Sequence, residues 1–140
     1  RWFMLSLDSV VPNTYAKIRK GGNLARVLET IEGLAEFRIQ RRAQTGHDVD
    51  CLISMCVQKD NWREMEKFLE YCSSVGIRAQ MQFAYGPAGV SLLMLSQQER
   101  SEIRDYAARL HARYGAFVMD PILKPISDSL REEFADGPAL

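Results

Sequence analysis

The stretch LSLDSVVPNTYAKIRKGGN (residues 5–23) decides how this chain is read. A short apolar run ends on Asp8, crosses a loop into a helical turn behind Pro12, and halts at Gly21-Gly22. Charged side chains are rarely buried without a partner, so a carboxylate inside an apolar strand marks the place where the strand ends. Pro12 and Asn13 open a short helix through Tyr15 and Ile18, and the paired glycines stop it. Asn23 can then cap a longer helix. Its apolar positions, Leu24, Val27, Leu28, Ile31, Leu34, Ala35 and Ile39, fall on one stripe at 3.6 residues per turn.

Outward from this unit the pattern recurs. Residues 2–7 read as the strand before Asp8, and residues 51–57 as a second strand after a polar loop with Gly46. Asn61-Trp62-Arg63-Glu64 has the form of a capping box, and the helix behind it presents Met65, Phe68, Leu69, Cys72 and Val75 on one side. Gly76 ends that helix, and residues 77–83 make a third strand. After the loop Gly86-Pro87-Ala88-Gly89, Ser96 and Glu99 repeat the capping logic for a helix with Ile103, Tyr106, Ala107 and Leu110 inward. Residues 117–119 read as a short fourth strand. Residues 1–120 form the ordered part, and 121–140 a tail expected to be partly disordered.

The fold class is therefore α/β, with a parallel β-α-β-α-β-α order and right-handed crossovers. Ligands in such architectures bind at the carboxyl ends of the strands. Asp8, the Asp60-Asn61 pair and Ala84-Tyr85-Gly86 all fall at or just past three strand ends. Three or four strands make a thin sheet with an unpaired edge. Since the chain opens almost directly into a strand, further strands are expected to precede it in a longer protein.

Composition bounds the function. The chain has 140 residues, 46% of them hydrophobic, and 18 basic residues balance 18 acidic ones. Zero formal charge argues against a broad nucleic-acid surface. Arg38, Arg41 and Arg42 read as a helix end favoured by the dipole. No apolar run approaches the roughly 20 residues of a membrane span, and no signal-peptide pattern is legible, so a cytoplasmic location is the expectation. Cys51, Cys56 and Cys72 have no metal-like spacing. Cys51 and Cys56 point to opposite faces of one strand, and all three read as small buried residues. His47 and His111 have no ligand-like company, and no metal site is expected. Gly21-Gly22 lacks the phosphate-loop pattern and reads as a helix stop.

Several of these residues resemble the radical S-adenosylmethionine (SAM) family, most of all its SPASM/Twitch-like branch. Its members commonly show a strand ending Ser-x-Asp, a Thr-Tyr-x-x-x-Arg helix, and Gly-Gly-x-hydrophobic leading into an amphipathic helix. Here these are Ser6-Leu7-Asp8, Thr14-Tyr15-Ala16-Lys17-Ile18-Arg19 and Gly21-Gly22-Asn23-Leu24. Val27-Leu28-Glu29-Thr30-Ile31, the Asn61-x-x-Glu64 start, the Gly76-Ile77 step and Ser96-Gln97-Gln98-Glu99 extend the likeness over about residues 3 to 115. The resemblance implies the C-terminal half of a partial (β/α)6 TIM-like barrel. It also implies SAM and a [4Fe–4S] cluster as cofactors, and a peptide or protein as a substrate common in that branch. The Cys-x-x-x-Cys-x-x-Cys loop that holds the cluster is absent from this chain, which alone should not cleave SAM reductively. Its implied partner is the N-terminal half of the barrel or a second copy of the chain.

The resemblance makes Ser6 and Asp8 candidates for the methionyl or ribose part of SAM; a loop-capping role is the alternative for Asp8. Asn61 is a cofactor-side candidate or simply a helix cap. Lys59 could balance a substrate carboxylate. Phe83 and Tyr85 could pack on adenine, with core filling the alternative for Phe83. Two other function classes stay open: a non-catalytic half-barrel that binds a partner or self-associates, and an unrelated α/β-barrel enzyme, which lacks an obvious catalytic lysine or paired carboxylates.

Overall fold

Three strands, β1 (Trp2–Ser6), β2 (Asp50–Val57) and β3 (Arg78–Phe83), form one parallel sheet in the order β1-β2-β3. The structure is a computed structural model that describes residues 2–118. Between the strands run α1 (Pro12–Ile18), α2 (Leu24–Thr45) and α3 (Met65–Ser74), and α4 (Gln97–Tyr114) follows β3. Short 3-10 turns, Trp62–Glu64 and Leu92–Met94, precede α3 and α4. The expected α/β order is therefore present as a mixed fold with a small parallel sheet.

Parallel register aligns Ser6 with Ser54 and Ser54 with Gln80, so alternate residues of the three strands share a face. On one face Leu7, Ile53, Met55, Val57, Ala79 and Met81 are buried. They join Ile31 of α2, Phe68 and Leu69 of α3, and Ile103 and Ala107 of α4 in one core. Each large side chain buried there contributes about 1.5–3 kcal/mol. The opposite face is different. Trp2, Met4, Ser6, Cys56, Arg78 and Gln82 are exposed on it, and neither Met4 nor Leu52 belongs to the core.

Local signals set several helix ends as expected. Asn23 accepts from the Arg26 backbone N–H, and Ser96 with Glu99 forms a complete capping box. Gly21 has φ of 78°, the left-handed turn after α1, while a Cβ on Gly22 would meet the Arg19 carbonyl and the Tyr15 ring at 3.0 Å. The pair ends a helix.

Other expectations are corrected. The Asn61–Glu64 capping box does not form: Asn61 makes no cap bond and α3 begins only at Met65. The fourth strand contracts to a single parallel bridge between Val118 and Ala79; Met119 and the 121–140 tail lie outside the described residues. Ile39, placed on the buried stripe of α2, is exposed because α2 outruns the core that its middle covers. Cys56 is exposed rather than buried, since it stands on the face opposite the core. Arg38 acts on tertiary carbonyls rather than its own helix end. Its guanidinium donates to Asp48 Oδ2 (2.9 Å), Val49 O (2.8 Å) and Gly76 O (3.1 Å), tying α2 to the feet of β2 and β3.

Candidate functional site

The carboxyl ends of the three strands are stitched into one rim. Past β1 the chain turns at Ser9, whose hydroxyl accepts from the Val11 N–H (2.9 Å). Pro12 then starts α1 at a position where no backbone donor is needed. This short helix carries Lys17 and Arg19 back over the strand end. Arg19 Nε donates to Asp8 Oδ2 at 2.6 Å, and Asp8 Oδ1 accepts from the Cys56 N–H at 3.0 Å.

Asn61 ties the second strand end to the first. Its Nδ2 donates to the Asp8 carbonyl (2.7 Å) and the Cys56 carbonyl (2.9 Å), and its Oδ1 accepts from the Gln58 N–H (2.8 Å). The third strand end joins through Ala84 N–H to Val57 O (2.8 Å), while Lys59 N–H reaches Val90 O (3.1 Å). Ser91 Oγ donates to Tyr85 O (2.8 Å). These bonds pair backbone groups of all three strand ends with their neighbours on the rim.

The sequence candidates occupy unlike positions on this rim. Ser6 is exposed at the end of β1, in register with Ser54 on β2. Asp8 and Asn61 are almost fully buried and spend their polar atoms on the protein. Phe83 and Lys59 are half-buried, and Tyr85 is exposed in the loop after β3. The structure thereby brings Ser6, Asp8 and Asn61 to one strand junction and keeps Phe83, Tyr85 and Lys59 along the neighbouring loops.

Two participants have roles at the rim that the sequence reading did not assign, where Arg19 was only part of a helix motif and Glu64 only a capping carboxylate. Arg19 partners Asp8, and Glu64 accepts from the hydroxyls of Ser9 and Thr14, the latter at 2.5 Å. The signal for Arg19 was its place in the Thr14–Arg19 helix, eleven residues after Asp8. Glu64 had no such signal, because its partners lie fifty or more residues away.

The thiols do not make a cluster site. Cys51 and Cys72 are buried on the core side, and Cys56 stands on the other face. Burial pushes the Cys72 thiol up to about 12, and burial followed by the Asp8 charge raises that of Cys56. Neutral thiols at neutral pH are weak nucleophiles, and these three do not converge on one point. Among the described residues no group of three or more His, Cys, Asp or Glu could hold a metal ion. A [4Fe–4S] cluster therefore does not fit this set of side chains. No described helix is long and apolar enough to cross a membrane.

The chain was compared with family models, curated proteins and solved structures, and it matches none of them.

Proposed function

We propose that this chain is the C-terminal half of a radical SAM-type partial barrel, supplying one wall of the cofactor and substrate cleft. One observation carries the reading: a parallel sheet with helices packed on one face and polar side chains gathered at the carboxyl ends of the other. On that face Met4 and Leu52, flanked by Asp50 and Arg78 at the amino ends, give way to Ser6, Ser54 and Gln80, then to Cys56 and Gln82, with Asp8 just past β1. All-parallel sheets bury both faces, and a barrel wall uses its second face as the lining of an interior with its site at the carboxyl end.

In this reading Ser6 offers an exposed hydroxyl to the ribose or methionyl part of SAM, and Tyr85 with Phe83 an aromatic surface for adenine. Asp8 and Asn61 hold the strand junction that positions Ser6, and Lys59 faces a substrate carboxylate. SAM and a cluster held by residues outside this chain would supply hydrogen abstraction from an unreactive carbon, while these residues orient and shield.

The test is to read the coding frame upstream of Arg1, produce the extended protein, and reconstitute it anaerobically with iron and sulfide. A Cys-x-x-x-Cys-x-x-Cys loop and formation of 5′-deoxyadenosine from SAM are the expected results. A frame that closes without the triplet, or an extended protein that takes up no cluster, overturns the proposal.

A second reading has its own observation. Trp2, Phe3 and Met4 of β1 are exposed on both faces of an edge strand. A non-catalytic half-barrel that self-associates through this edge would sediment as a concentration-dependent dimer. Mutation of Phe3 to Lys would then return it to a monomer.

A further inference from the structure

At the opposite end of the sheet, an open cavity of about 390 Å³ is lined by Trp2, Asp50, Cys51, Leu52 and Arg78. It takes no part in the proposed cofactor rim. Register places Trp2 beside Asp50 and Leu52 beside Arg78, so these four residues stand on the face away from the core. Trp2 is 66% exposed and Leu52 half-buried, which gives the cavity an apolar wall.

The charges in it are uncommitted. Neither the Asp50 carboxylate nor the Arg78 guanidinium makes a hydrogen bond or ion pair with another described residue. The nearby Arg38 and Asp48 already pair with each other at 2.9 Å and do not compete. One cation, one anion and an indole wall therefore line a single small volume.

We infer that this cavity binds an apolar α-amino acid, free or at the end of a short peptide. Its carboxylate meets Arg78, its ammonium Asp50, and its side chain lies on Trp2 and Leu52. Guanidinium to carboxylate is the strong, orienting contact, and the apolar wall selects the side chain. The inference goes beyond the barrel reading and does not rest on it.

The two tryptophans of the chain, Trp2 and Trp62, give two indole N–H resonances, one in the cavity and one far from it. Titrating the 140-residue chain with L-leucine or L-leucyl-L-leucine should shift the Trp2 resonance saturably and leave Trp62 in place. A tighter dipeptide identifies a peptide end as the ligand, and a tighter amino acid the free form. Leucinamide and N-acetyl-leucine, each lacking one charge, should bind about tenfold or more weakly. Arg78→Gln should abolish the preference for leucine over leucinamide, and Lys67→Gln, on the exposed side of α3, should change nothing. No saturable shift of Trp2 overturns the inference. So does equal binding of leucine and both blocked forms, which would mark plain apolar adsorption.

Discussion

Arg19 Nε sits 2.6 Å from Asp8 Oδ2, an ion pair that locks the first turn past β1 onto the helix eleven residues later. The carboxylate is 4% exposed and the guanidinium 48%, so the two ends of this pair differ in worth. Exposed Arg19 is partly screened by water, and its loss costs little by itself. Asp8 is the buried partner, and it also satisfies the Cys56 N–H at the end of β2.

Replacing Asp8 with Ala should therefore destabilise the chain by about 1–2 kcal/mol, because it leaves the part-buried Cys56 N–H unpaired. Asp8→Asn keeps an acceptor for Cys56 and should cost less. Arg19→Ala should cost about 1 kcal/mol or less. Urea unfolding of the three variants checks the order, and a harmless Asp8→Ala would remove the structural role assigned to this carboxylate.

Asn61 shows where reading a sequence locally stops working. Asn23 and Ser96 cap helices whose N–H groups lie three residues away, so short-range pattern was enough to find them. Asn61 and Glu64 carry the same pattern and do something else. Their partners, Asp8, Ser9 and Thr14, arrive only when β1 lies beside β2. The strands and the helix stripes were legible because hydrophobic period is local. The exposure of Cys56 and the Arg19–Asp8 pair depend on which face meets the core and on how the rim closes.

From the same geometry, Asn61→Ala should cost about 3 kcal/mol, since it strands two carbonyls and one N–H in a buried site. Asn61→Asp should be at least as damaging at neutral pH, where a carboxylate would face the Asp8 and Cys56 carbonyls. Protonation restores one O–H donor, so this variant should regain stability as pH falls through the carboxyl range. Thermal unfolding across acid pH measures it. An Asn61→Asp protein with the wild-type pH profile would mean that the side chain does not bridge these strands.

Alkaline stability has a separate source. Burial raises the Cys72 thiol from its ordinary value of 9.0 to about 12. Between those values the unfolded chain has released a proton that the folded one retains. Stability from this group is thus complete below about pH 9 and is lost as pH rises toward 12. Cys72→Ala should lower stability at pH 7 through the cavity it leaves, yet flatten the decline above pH 9. A decline as steep in the variant as in the wild type would assign the alkaline transition to other groups.

Two glycines give opposite expectations from the same substitution. Gly33 lies inside α2, and a Cβ there would meet nothing within 4 Å. Gly33→Ala should therefore stabilise the chain by about 0.5–1 kcal/mol, through helix propensity and lost freedom of the unfolded state. At Gly22 a Cβ would press on the Arg19 carbonyl and on the buried Tyr15 ring at 3.0 Å. Neither yields easily: one is backbone and the other is held in the core. Gly22→Ala should destabilise by about 1 kcal/mol as α1 is pushed off the strand end. Because α1 carries Arg19, the loss should shrink in an Arg19→Ala background, where α1 can shift without stretching the pair to Asp8. Equal losses in both backgrounds would show that Gly22 acts through Tyr15 packing alone and not through the rim.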